Sequence, residues 1–244
     1  MNKLTFITAA FALMAGAAAA QDNVRIGTEG AFPPFNFIND SGEIAGFERD
    51  LGDELCRRAE LSCTWVTTDW DSIIPNLTAG NYDVIMAGMS ITDERREVIA
   101  FSDAYFPELP SAYAAPTEDA NIGDGAVVAA QTNTVQANYV AESGATMLEF
   151  ATPDETVAAV RNGEADAVFA DKDFLAPIVA ESGGDLVWVT GQDDIRLGEG
   201  FGLGLRQSDE ELRERLSTAI QSMKDDGSLN ELLTQWFGEE AVHF

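Results

Sequence analysis

Two stretches of the chain repeat one pattern, and that repeat restricts the fold more than anything else in it. Leu77-Thr78-Ala79-Gly80-Asn81-Tyr82-Asp83-Val84-Ile85-Met86-Ala87 and Val160-Arg161-Asn162-Gly163-Glu164-Ala165-Asp166-Ala167-Val168-Phe169-Ala170 are built alike. Each runs from a helix end through a glycine stop and an aspartate into a short apolar strand closing on alanine. Segments 24–30 and 126–134 match too, each an apolar strand breaking into a turn rich in Thr, Gly or Asn. Strand-like and helix-like runs alternate elsewhere, the mark of an α/β fold. Two copies predict two similar α/β lobes, whereas a solenoid needs three or more.

Local signals fill in the elements. Phe47, Leu51 and Leu55 recur every four residues, which predicts a helix over 46–60 with one apolar face. Segment 71–79 reads as a short helix closed by Gly80. Thr92-Asp93-Glu94 reads as an N-cap and acidic first turn of a helix reaching about Ile99. Ser208-x-x-Glu211 and Ser228-x-x-Glu231 read as capping boxes of two final helices, with Gly227 between them.

The chain has 244 residues, 45% of them hydrophobic, enough for one large or two ordinary domains. Asp and Glu number 42 against 14 Lys and Arg, a net charge of −28. Such a chain has no basic footprint for nucleic acid or an anionic membrane. Its acids read as a solvated surface that aids solubility and suits a salty habitat. The one histidine, His243, stands second from the end. Neither Ser-His-Asp catalysis nor His-metal chemistry is therefore expected, and no metal or other cofactor is called for.

Residues 1–20 have the charged start (Lys3), apolar run and Ala18-x-Ala20 end of a secretory signal peptide. The run is short for a membrane anchor, so cleavage after Ala20 is expected. That leaves Gln21 first and, without Lys3, a net charge of −29. No later run approaches a membrane-spanning length, and the expected product is exported, soluble and monomeric. Export bears on Cys56 and Cys63, the only two cysteines. In an oxidising compartment the pair reads as a disulfide stapling a helix end to the strand Cys63-Thr64-Trp65-Val66, the alternative being two small buried residues.

The phrases VRIGTEGAFPPFNF (24–37), GEIAGFERDLGDELCRR (42–58) and WDSIIPNLTAGNYDVIMAGMSITDERREVIAFSDAYF (70–106) belong together with AAQTNTVQANYV (129–140), NGEADAVFAD (162–171) and the segment 198–238. In that order they resemble the periplasmic substrate-binding proteins of ABC importers for polar amino acids, and the cysteine spacing resembles theirs as well. The resemblance implies a periplasmic-binding-protein-like fold of type II, two α/β lobes joined by a two-crossing hinge with a ligand cleft between them. Lobe one would be 22–111 with 204–244 and lobe two 112–203, crossing near Pro110-Ser111-Ala112 and Leu203-Gly204-Leu205. It also implies a periplasmic receptor that captures an amino acid and delivers it to the membrane permease of an ABC transporter.

A free amino acid asks for a cation at its carboxylate, an anion at its ammonium, and a pocket matched to its side chain. By the resemblance Arg95 takes the carboxylate, its planar guanidinium binding two-pronged while a helix start adds free amides. Ser90 would add a hydroxyl, Gly88 and Thr134 their backbone amides, and Gln136 lies in the matching turn of lobe two. Asp171, at the carboxyl end of Ala167–Ala170, would hold the α-ammonium. Phe32 and Trp70 fall at the stacking positions and Glu29 at the acidic position facing the distal side chain, an arrangement suited to a flat cation. Ala87-Gly88 replaces the paired serines of some basic amino-acid binders and leaves room near the α-carbon. By residue type alone Arg95 is a surface cation, Glu29 and Asp171 are solvated acids, and Phe32 and Trp70 are core; position favours binding.

The expected ligand is cationic, arginine ahead of lysine, ornithine and histidine. Two alternatives stay open: a receptor for glutamine or another neutral polar amino acid, and an exported dehydratase of arogenate or prephenate on the same fold. The dehydratase needs a placed general acid and base with shifted pKa values. A sensory input domain would need a membrane span and further domains, and is not expected.

Overall fold

The computed structural model describes residues 22–239 and 241–244; the expected leader 1–20 and Gln21 lie outside them. The chain opens with β1 (Asn23–Thr28) and a small antiparallel sheet of β2 (Ala31–Phe32), β3 (Asn36–Ile38) and β4 (Ile44–Ala45). Then come α1 (Phe47–Arg58), β5 (Ser62–Thr67), α2 (Ile73–Thr78), β6 (Val84–Ile85), α3 (Asp93–Arg96) and β7 (Ala100–Phe106). The second half holds β8 (Pro110–Ala115), β9 (Val127–Gln131), α4 (Val135–Glu142), β10 (Thr146–Phe150), α5 (Pro153–Arg161), β11 (Ala167–Asp171), α6 (Lys172–Glu181), β12 (Val187–Trp188) and β13 (Ile195–Arg196). The chain ends with β14 (Phe201–Leu205), α7 (Glu210–Asp225) and α8 (Ser228–Phe237).

Two mixed sheets share one plan. The first has the order β5-β1-β6-β14-β7 and the second β10-β9-β11-β8-β12, with β13 also paired to β8. In each, the first strand lies between its two parallel successors, and an antiparallel strand arriving from the far side of the molecule is laid beside the third. The repeat seen in the sequence has a structural cause. Asp83 and Asp166 accept the backbone N–H of Arg25 and Val127 at 3.0 and 2.8 Å. Their own N–H groups donate back to the carbonyls of those residues at 2.9 and 2.8 Å. Each aspartate thus clamps the start of the first strand to the third.

Strand membership places the passages between sheets. β8 belongs wholly to the second sheet from Pro110, and β14 wholly to the first from Phe201, pairing with β6 and β7. The return passage therefore falls between Arg196 and Phe201, ahead of Leu203-Gly204-Leu205, because those residues are already inside the sheet ladder.

Packing explains why the helices sit where they do. α1 buries Phe47, Leu51 and Leu55, with Glu48 and Asp50 in its first turn and Arg57 and Arg58 in its last, signs that suit the helix dipole. Phe35, Phe106, Phe201 and Phe237 close the core beneath the passages, the Phe35 ring lying 5.1, 5.5 and 5.0 Å from the other three. Cys56 and Cys63 form a disulfide joining the end of α1 to β5, with Cα atoms 6.2 Å apart. Among the described residues no helix is long and apolar enough to cross a membrane.

Three local expectations fail. α3 stops at Arg96 rather than near Ile99, because the chain must straighten into β7 at Ala100. Neither final helix uses its serine as a cap. Asp209 occupies the N-cap of α7, with the Ser208 hydroxyl turned to its carboxylate at 2.9 Å. Gly227, at φ 81°, caps α8, while Ser228 donates to Asp226 at 2.6 Å.

Candidate functional site

In both sheets the chain reverses its lateral order at the first strand, and residues just past such carboxyl ends are where open α/β sheets present ligands. Here the two edges line one cavity. β1 delivers Glu29, β6 leads to Ala87, Gly88 and Ser90, and β11 ends at Asp171. Thr134 and Gln136 come from the start of α4, while Phe32, Trp70 and Arg95 complete the wall. Every residue singled out from the sequence lines this cavity, together with Gln131 and Val135, which were not expected. An adjoining hollow shares Trp70, Arg95 and Val135 and has carboxylates of its own, Asp71 and Glu94, but neither Glu29 nor Asp171 lines it.

Arg95 is held on both sides of the cleft. Thr92 Oγ1 accepts its backbone N–H at 3.2 Å, Nη1 donates to the Ser90 carbonyl at 2.8 Å, and Nη2 donates to the Asn133 carbonyl at 3.0 Å. Its guanidinium carbon lies 5.5 Å from the Trp70 ring centroid, a cation–π arrangement. Burial pushes its pKa down to about 10, with Glu94 and Asp171 opposing the fall. Since α3 is a single short turn whose third amide is taken by Thr92, free helix amides add little here.

The carboxylates are both strained toward neutrality. Burial lifts Asp171 to about 7, Asp173 adding to the rise and Gln136 and Arg95 opposing it. Burial lifts Glu29 to about 7 as well, against a hydrogen bond from Gln131, while Asp71, Asp69 and Glu48 add repulsion. Gln131 Nε2 reaches across the cleft to Glu29 Oε1 at 2.7 Å and also donates to the Ala151 carbonyl at 3.0 Å. Taking the residues clamped by Asp83 and Asp166 as equivalent, Glu29 and Gln131 stand at the same place in the two lobes.

Of the two backbone amides expected to meet ligand, Gly88 and Thr134, the first is spoken for. The Gly88 N–H donates to Glu48 Oε1 at 2.7 Å, because a φ of 59° turns it inward, away from the cleft. A Cβ at Gly88 would come within 2.8 Å of the Phe32 ring, so only glycine fits this turn. The Gln136 side-chain amide donates to Ser111 Oγ at 3.0 Å. Thr134 caps α4 through Oγ1, which accepts the Ala137 N–H at 3.0 Å, and its own N–H has no partner among the described residues. Phe32 and Trp70 are 6% and 7% exposed, at once core and cavity wall. Phe32 stacks on Phe35 at 4.9 Å and on Phe174 of the other lobe at 5.6 Å.

Residues 24–239 match the family described as bacterial extracellular solute-binding proteins, family 3. The chain belongs to this family. Among family 3 solute-binding proteins it is 33% identical to the lysine/arginine/ornithine-binding periplasmic protein of Escherichia coli strain K12, over 90% of this chain and 89% of the relative. A periplasmic His/Glu/Gln/Arg/opine family-binding protein from Silicibacter pomeroyi, solved in complex with lysine, is 64% identical with a TM-score of 0.88, covering 91% of this chain and 100% of its own. An ancestral amino acid-binding protein described as a precursor of cyclohexadienyl dehydratase is 28% identical with a TM-score of 0.78, covering 88% of this chain and 95% of its own.

Proposed function

We propose that this chain is an extracytoplasmic receptor that captures an amino acid with a cationic side chain and hands it to the permease of an ABC transporter. The observation that carries this reading is the charge count of the cavity: Arg95 faces two carboxylates, Glu29 and Asp171. A zwitterion neutralises Arg95 with its carboxylate and Asp171 with its ammonium. Glu29 is left, and an unpaired buried charge is costly, so the ligand that fits brings its own second cation. Bonds across the cleft, Gln131 to Glu29 and Arg95 to Asn133, support a closed, ligand-clasping form. The relatives' names support export to the periplasm and binding without turnover.

Aromatic walls at Phe32 and Trp70 favour the flat guanidinium of arginine. Against that, Gln131 occupies one Glu29 oxygen, which suits a single-point ammonium, and the relative at 64% identity was solved with lysine. Lysine and arginine are therefore both expected to bind, ahead of ornithine and histidine, with aspartate and glutamate excluded. Calorimetry on refolded protein with each amino acid tests this. Glutamine or an aliphatic amino acid binding more tightly than lysine and arginine sinks the cationic reading.

A second reading has one observation in its favour. Carboxyls near 7 are also what general acid–base chemistry needs. Release of product from prephenate or arogenate by the purified protein would establish it.

A further inference from the structure

The segment 42–58 carries a carboxylate that the cavity does not use. Glu48, in the first turn of α1, is fully buried at 0% exposure. Its Oε1 accepts the Gly88 N–H at 2.7 Å and the Tyr105 hydroxyl, and its Oε2 accepts Asn36 Nδ2 at 2.6 Å. Asn36, buried as completely, accepts the Gly30 N–H through Oδ1 at 2.7 Å. Each donor has a place in the machinery. Gly30 follows Glu29, Gly88 sits between Ala87 and Ser90, and Tyr105 lies near the end of β7, where the chain leaves the first sheet.

We infer that Glu48 is a positioning residue of the binding site, setting the spacing between the loop that carries Glu29 and the loop that carries Ala87 to Ser90 and anchoring both to β7. The inference rests on the receptor reading above. If Glu29 meets the side-chain cation and the Ser90–Arg95 turn meets the α-carboxylate, the spacing between these loops sets the ligand length the cavity accepts. Three donors on one carboxylate do this better than apolar packing, because each bond is directional and a lost one leaves a buried polar group unpaired. Among the described residues no cation pairs with Glu48, and its burial is balanced by these three donors.

Tyr105→Phe removes one arm and keeps the carboxylate, whereas Glu48→Gln also turns an amide donor toward groups that are themselves donors. Both are measured by calorimetry well below their melting temperatures, with lysine, arginine and ornithine as ligands. Glu48→Gln is expected to weaken lysine at least roughly tenfold and Tyr105→Phe severalfold, the size of a hydrogen bond to a charged group. The relative affinities for the three ligands should change in both, since their chains differ in length and head group. If Glu48→Gln does not fold, Tyr105→Phe decides alone. Lower melting temperatures with wild-type affinities and ratios overturn the inference and leave Glu48 a packing residue. Wild-type protein that binds none of the three fails at an earlier step and takes the receptor reading down with it.

Discussion

Arg95 spends two of its nitrogens on backbone carbonyls, Ser90 on its own lobe and Asn133 on the other, so the donors left are aimed by bonds already made. A lysine there keeps the charge but has no fork to meet both carbonyls and a carboxylate. Arg95→Lys should weaken amino-acid binding by ~2 kcal/mol or more, and an unchanged dissociation constant in calorimetry removes Arg95 from the site. Glu29→Gln should cost a cationic ligand ~2–4 kcal/mol and a neutral one much less, since only the cation loses its counter-charge. The pH dependence has a definite sign. Burial raises Glu29 from 4.5 and Asp171 from 3.8 to about 7, so the folded protein holds these protons more tightly than the unfolded chain. Folding stability of the free protein therefore gains from these groups as pH falls from about 7 toward 4 and loses that gain above 7. Cation binding runs the other way, needing both carboxylates ionised. Lysine affinity should fall below pH 7, and the lysine-induced rise in melting temperature should be larger at pH 8 than at pH 6. These acids were legible in the sequence because they follow strand ends in a recognisable order. Gln131 was missed, although the match of 24–30 with 126–134 sets it at the place of Glu29. The inward Gly88 amide was not legible, because a positive φ leaves no trace beyond the glycine itself.

The disulfide ties the end of α1 to the start of β5, the outermost strand of its sheet, and neither cysteine lines the cavity. Its loop is short, so reduction should cost about 2–3 kcal/mol of stability and leave ligand binding largely intact. Thermal melts and calorimetry with and without reductant measure the two effects separately; loss of binding at full foldedness contradicts this placement. Element-level signals were strongest where one face alone decided the matter, as in the four-residue spacing along α1. They failed where a partner decided it. α3 ends early because β14 claims the residues after it as a strand. The two serine boxes fail because Asp226 and Asp209 compete for the hydroxyls, and a left-handed glycine can start a helix as well as end one. In α5, Glu155 reaches back to the Thr152 N–H at 3.0 Å, a helix start that the sequence carried just as plainly.

A net charge of −28 acts on the whole molecule rather than on one site. It attracts cations over distances of a Debye length, about 10 Å at 0.1 M salt, and the two cleft carboxylates lie at the end of that field. Stopped-flow association of lysine should slow markedly as ionic strength rises from 0.01 to about 0.5 M, with dissociation changing much less. An association rate indifferent to salt rules out steering. The two-lobe plan itself was legible because both copies of the repeat keep the clamping aspartate, Asp83 and Asp166.

The position of β14 between β6 and β7 also sets an order of events in time. Every strand of the second sheet comes from residues 110–196, so that sheet is complete while the first still has a gap between β6 and β7. As the chain is made from its N-terminus, β1 finds both its partners early, but β6 and β7 must wait for residues near the other end before their ladder closes. Pulse-labelling during refolding should find the amides of β9 and β11 protected before those of β6 and β7. A chain cut off ahead of Phe201 should keep its middle folded and lose its beginning.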